Sequence, residues 1–202
     1  MRLPLILSIA LCLTLFACKE KQKSATTEQK AAPIVPLKVE DTTHTYFSIR
    51  DYLNQQWNLK KENPYTLLKI VIANGKRDSA FVAFDSANWY TILHPFYIAD
   101  ISDRKYLGWY RFDSFENEDA EEVHIHYEAI APDTIMRKMD VAANKYSGTV
   151  NLVYMETRHK TDNVITTRKM TYKRDDFIQV IESEKTEGKP VVERIIEHRF
   201  KY

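Results

Sequence analysis

The chain has 202 residues, with 29 Lys and Arg against 28 Asp and Glu, a formal charge of +1, and the two signs are interspersed along it. Such a mixed surface argues against a nucleic-acid groove or a strongly acidic partner, both of which need charge of one sign gathered in one place. Two Cys are too few for a disulfide framework, and four Gly leave little backbone free to cradle phosphate.

Arg2 followed by the apolar run Leu3 to Phe16 reads as an export signal, because about fifteen apolar residues are too few to span a bilayer. The end of that run, Leu15-Phe16-Ala17-Cys18, resembles the lipobox of bacterial lipoproteins. The resemblance implies cleavage after Ala17, a diacylglycerol on the Cys18 thiol and an amino terminus open to acylation. Residues 1–17 are then a signal peptide and Cys18 is the lipidation site. Two or three acyl chains of the palmitate type anchor a protein without any span. Cys12 leaves with the signal and Cys18 is consumed by lipid. The folded part therefore has no disulfide, no Cys-metal site and no Cys nucleophile to offer.

Residues 18–43 are expected to be a tether. The segment opens Lys19-Glu20-Lys21-Gln22-Lys23, passes Pro33 and Pro36, and holds too little apolar surface to fold. Its reach as a flexible chain is roughly 25 to 30 Å. By analogy with enterobacterial lipoproteins, Lys19 in place of an Asp after the Cys favours the outer membrane. Charged residues there are also similar to surface-export signals of some Bacteroidota lipoproteins. Both the periplasmic face and the cell surface stay open.

Residues 44–202 make one α+β domain of ordinary size. A first helix starts after Ser48, which stands as N-cap with Asp51 three residues on and Phe47 stapled to Tyr52, and it ends near Glu62 before Pro64. Tyr65 to Ala73, the pair Asn74-Gly75, and Ser79 to Phe84 read as strand, tight turn and strand. A second helix carries Trp89, Ile92, Leu93, Phe96 and Tyr97, capped by Asp85 or Ser86, with Pro95 inside it. From Tyr106 the period falls to two. Strands are expected at Tyr106–Phe115, Val123–Ala129, Thr134–Ala142, Gly148–His159, Val164–Lys173, Phe177–Lys185 and Val191–Tyr202. Short links between them permit only antiparallel pairing. The expected fold is two helices and a hairpin followed by a long curved antiparallel β-meander, with the helices covering its apolar face.

Few residues suggest chemistry. His124, His126 and Glu128 alternate onto one strand face about 6 to 7 Å apart, so two imidazoles could chelate zinc or iron if His159 or His198 supplied a third ligand. Polar residues on the wet face of an amphipathic strand explain the same pattern without a metal. The acidic stretch Asp100, Asp103, Asp113, Glu116, Glu118, Asp119, Glu121 and Glu122 could hold calcium or meet a basic partner, but it lacks the spacing and turn Gly of a calcium loop. It reads more simply as solvated surface. No nucleophile elbow, P-loop, dinucleotide fingerprint or H-E-x-x-H occurs. The aromatics Trp89, Tyr90, Phe96, Tyr97, Trp109, Tyr110, Phe112 and Phe115 could line a ligand pocket; core packing is the more economical use.

Asn74-Gly75, Asn88-Trp89, Leu93-His94-Pro95-Phe96 and Ala99-Asp100-Ile101, followed by the tyrosine-rich strands, resemble small lipoproteins of Bacteroidota. Here Ser102-Asp103 stands where Asn-Lys follows in typical members. No activity is established for that group, so the resemblance carries over no functional residue beyond Cys18. The expected role is a non-enzymatic envelope domain without a cofactor, bound to the membrane through Cys18. Its partner is another envelope protein or a small apolar ligand. The alternative is a hydrophobic-ligand or lipid carrier similar to the outer-membrane lipoprotein carrier family, with a cavity between sheet and helices. A third reading is a metal-dependent hydrolase centred on His124 and His126.

Overall fold

A computed structural model describes residues 46–201. The expected signal peptide (1–17), the expected lipidation site Cys18 and the expected tether (18–43) lie outside the described residues. Helix α1 spans Ile49–Lys60, and Ser48 caps it by accepting the Asp51 amide at 3.1 Å. The Phe47 ring packs 5.9 Å from Tyr52, which fixes the entry of the chain. Strands β1 (Thr66–Ala73) and β2 (Lys76–Ala83) meet at Asn74-Gly75, both with positive φ. A two-residue turn of this kind brings Lys76 directly opposite Ala73, so β2 starts three residues earlier than its apolar pattern suggests. Helix α2 runs Ser86–Tyr97 with Asp85 as its cap, accepting the Asn88 amide at 2.8 Å.

A 3-10 turn at Arg104–Tyr106, capped by Asp103, separates α2 from the remaining strands. This turn and Gly108, at positive φ, delay β3 to Tyr110–Asn117 instead of the expected Tyr106. The others are β4 (Glu122–Ala129), β5 (Met136–Asn144), β6 (Val150–Thr161), β7 (Val164–Lys173), β8 (Phe177–Thr186) and β9 (Val192–Lys201). All nine form one antiparallel sheet in the order β2-β1-β9-β8-β7-β6-β5-β4-β3. The hairpin therefore joins the sheet beside its last strand, with Leu67 opposite Phe200.

Directly opposed residues share a face of the sheet. One such row, Tyr127, Met139, Met155, Met170 and Val180, crosses five strands and is buried beneath the helices. Three adjacent methionines adapt their shape to the helices above them. Helix α1 sets Tyr52 edge-on to Tyr172 at 5.6 Å, and α2 sets Trp89 against the same ring at 6.3 Å. Leu53, Leu93 and Phe96 are sealed from solvent and contribute about 1.5 to 3 kcal/mol each by burial.

Two basic side chains lie inside this layer. Lys60 at the end of α1 is only 4% exposed, is paired with Asp175, and holds its ammonium 5.4 and 5.3 Å from the Tyr65 and Phe200 ring centres. Those contacts replace the lost water. His198 on β9 is 6% exposed, opposite Ile178 on one side and Lys69 on the other. Burial first, and then the Lys69 charge, push its pKa down to about 4.

Among the described residues the sheet stops at β2 and β3, and both of these strands carry Asp-Ser. The Asp78 carboxylate accepts the Ser79 amide at 2.8 Å, and the Asp113 carboxylate accepts the Ser114 amide at the same distance. Each end strand thus satisfies one of its own outward amides.

Candidate functional site

An apolar groove of about 340 Å³ opens at one end of the sheet, between the residues after α2, the Arg104–Tyr106 turn, the start of β3 and the link from β4 to β5. The chain places it there by local turns. Asp103 caps the 3-10 turn, Trp109 donates its amide to the Tyr106 carbonyl, and Trp109 accepts from Ile130 at 2.8 Å. These bonds bring Tyr106, Trp109 and Tyr110 against Ile98, Ile135 and Met136. Ile98, Trp109 and Ile135 are each close to half exposed, so the groove has an apolar rim as well as an apolar wall.

Its polar members are committed or peripheral. Asp100, in the wall, accepts from the Arg50 amide at 2.8 Å, the Ser102 amide at 2.7 Å and the Ser48 hydroxyl at 3.3 Å. That carboxylate ties the N-terminus of α1 to the loop after α2 instead of facing a substrate. Burial pushes the Tyr110 phenol up to about 12, so it stays protonated at neutral pH. Lys105 sits 3.3 Å from Asp103. The arrangement is shaped for an apolar group, with little polar chemistry to offer it. Among the described residues, no nucleophile and base converge in it.

A second hollow of about 240 Å³ lies between α1 and the turn from β5 to β6, lined by Tyr52, Gln56, Leu59, Gly148 and Arg174 among others. It is the more polar of the two. The Tyr52 hydroxyl donates to the Val150 carbonyl at 3.1 Å, and burial raises its pKa well above the ordinary tyrosine range.

The histidines do not converge. His124 and His126 occupy the outer face of β4, as alternation implies, but His159 and His198 lie on the helix side of the sheet. His198 shares a face with buried Ile178, and His159 alternates from Met155 through Thr157. The third ligand required by the metal reading is therefore not supplied by either residue. His126 is instead engaged by Asp140, at 2.5 Å from Nδ1, with Lys138 3.1 Å from the same carboxylate. His124 lies flat on Phe115, ring centres 5.0 Å apart, with Nε2 3.3 Å from a Glu122 oxygen but outside hydrogen-bond alignment. Among the described residues, no group of three His, Cys, Asp or Glu side chains is placed to hold a metal ion.

Beside these histidines, Arg111, Glu128, Lys138, Glu156 and Lys169 form a row of alternating charge across five strands. The acidic stretch also disperses into separate jobs: Asp100 and Asp103 cap helical turns, Asp113 accepts the Ser114 amide, and Glu122 accepts from Asn151. The aromatic set divides as well. Trp89, Phe96, Tyr97 and Tyr110 are core, whereas Tyr90, Trp109, Phe112 and Phe115 remain exposed.

No family model, curated protein or solved structure matches this chain. Among the described residues no helix is long and apolar enough to cross a membrane.

Proposed function

We propose that the chain is a lipid-anchored cell-envelope lipoprotein of the Bacteroidota type, whose sheet curves around two helices to form a non-enzymatic binding domain. Cys18 holds it to the membrane, the outer membrane by preference, and residues 18–43 give it reach. The groove beside Trp109 takes an apolar group from an envelope protein or a small apolar ligand. One observation carries this reading: Ile98, Trp109 and Ile135 form an exposed apolar rim around a groove on a domain whose interior is filled. Exposed apolar patches on a soluble surface mark sites of association. The carrier alternative needs a cavity between helices and sheet, where Trp89, Phe96, Tyr172 and the methionine row pack.

Two measurements test the reading in the producing cell. Cys18→Ser is expected to abolish incorporation of labelled acyl chains and membrane fractionation; a variant that keeps both refutes the anchor. A photo-crosslinking residue at Ile135 is expected to capture the same envelope protein in repeated preparations. Capture of nothing beyond abundant background counts against a protein partner, and capture of lipid favours the carrier.

A further inference from the structure

We infer that two copies of this chain pair through β3, antiparallel and centred on Phe112, to continue the sheet across a twofold axis. The hydrogen-bonding direction of β3 is set by the Ile130 amide donating to the Trp109 carbonyl. Odd-numbered residues from 109 to 117 thus turn their backbone groups to β4, and Tyr110, Phe112 and Ser114 turn theirs outward. Two side-chain contacts agree with that alternation, because the Tyr46 hydroxyl donates to the Tyr110 carbonyl at 3.2 Å and Asp113 accepts the Ser114 amide. Between them, no described side chain caps the N–H or C=O of Phe112.

A symmetric antiparallel pair bonded through its backbone must centre on an outward-facing residue. Centring on Phe112 sets Phe112 against its copy and Tyr110 against Ser114, and these are the residues whose backbone groups are available. The same register sets Arg111 opposite Asp113 twice, at positions where side chains approach most closely, and brings each Phe115 to the start of the other copy's β3. Two ion pairs and one aromatic contact result, and Phe112 and Phe115, now 55% and 57% exposed, become covered. The Ser114 amide passes from Asp113 to the Tyr110 carbonyl of the other copy, which releases Asp113 for Arg111. That carbonyl keeps its second lone pair for Tyr46.

The other free edge supplies an internal contrast. In β2 the outward residues are odd-numbered, since Ala73 and Lys76 close the hairpin. Centring on Ser79 sets Asp78 against Ala80 and Arg77 against Phe81, with no opposite charges paired. Both edges carry an Asp-Ser cap; centring β2 on Arg77 does pair Lys76 with Asp78 but sets Arg77 against its own copy, so of the two edges β3 alone pairs opposite charges without opposing like ones.

The test uses the full chain in membranes of the producing cell. Phe112→Cys places two thiols on strands whose Cα atoms are about 5.5 Å apart in a hydrogen-bonded pair, within the roughly 4.4 to 6.8 Å a disulfide spans. Mild oxidation is expected to convert Phe112→Cys, and not Ser79→Cys, to a covalent dimer. Arg111→Asp faces Asp113 with a like charge and is expected to weaken pairing about tenfold, whereas Arg111→Asp combined with Asp113→Arg restores it. Sedimentation of the detergent-solubilised chain reads the same ordering, and circular dichroism verifies that each variant is folded. A folded wild-type chain that sediments as a monomer and gives no Phe112→Cys dimer overturns the proposal. So does a folded double variant that pairs no better than Arg111→Asp, and so does a Phe112→Cys adduct with a different protein in place of the dimer.

Discussion

Acid should loosen this domain through one histidine. His198 is buried on the helix side of β9, and its folded pKa of about 4 lies below the ordinary value near 6.5. Between those two pH values the unfolded chain binds a proton that the folded chain refuses, so lowering the pH favours unfolding. The contribution is intact above about pH 6.5, declines as the pH falls, and is fully lost by about pH 4. Integrating over that window, the step from pH 7.5 to pH 5 removes about 2 kcal/mol, roughly a thirtyfold change in the folding equilibrium. Urea unfolding followed by far-UV circular dichroism at the two pH values measures it. Carboxylates also begin to titrate near pH 5, so the informative quantity is the difference between wild type and His198→Gln. Gln cannot titrate, and the variant should lose about 2 kcal/mol less than wild type over the same pH step, whatever its stability at pH 7.5. If both proteins decline equally, His198 is not kept neutral by its surroundings and the burial argument is wrong.

Other substitutions probe the packing and the caps. Ser48→Ala removes the α1 cap and the hydroxyl donated to Asp100, with an expected loss of about 1 kcal/mol in thermal or urea unfolding. Met155→Ala opens a cavity in the methionine row and should cost about 2 to 5 kcal/mol by the same assay. Asp175→Ala strands the Lys60 ammonium, whereas Lys60→Met removes the buried charge and keeps most of the volume. The first should therefore be the more damaging, by roughly 1 to 2 kcal/mol because Asp175 is partly solvated. Equal losses would mean that packing of the Lys60 stem, not its charge, holds the end of α1. Gly75→Ala imposes a side chain at φ 71° in the hairpin turn and should destabilise by about 1 kcal/mol, with Asn74 unchanged.

Local chemistry was the legible part of the fold. Ser48 and Asp85 cap their helices, Phe47 staples to Tyr52, and Asn74-Gly75 turns a hairpin, because each depends on neighbours a few residues away. The period-two pattern likewise placed His124 and His126 on a solvated strand face. Long-range placement was not legible. Nothing near Leu67 announces that Phe200 will stand opposite it, and periodicity cannot say which face of a distant strand carries His159 or His198. The groove escaped for a related reason. Its walls come from four separate segments, and the 3-10 turn that positions Tyr106 and Trp109 interrupts what reads in sequence as the start of a strand.

The pairing of β1 with β9 also has a consequence in time. Leu67 lies soon after α1 and Phe200 at the end of the last strand, so their contact closes a very long loop and cannot form until β9 exists. Strands β3 to β8 can zip neighbour by neighbour; β1 and its hairpin partner must wait for the last strand to arrive. A chain of this topology folds slowly for its size. Until then β1 lacks its partner, which makes the interval before β9 emerges the period of greatest exposure to aggregation.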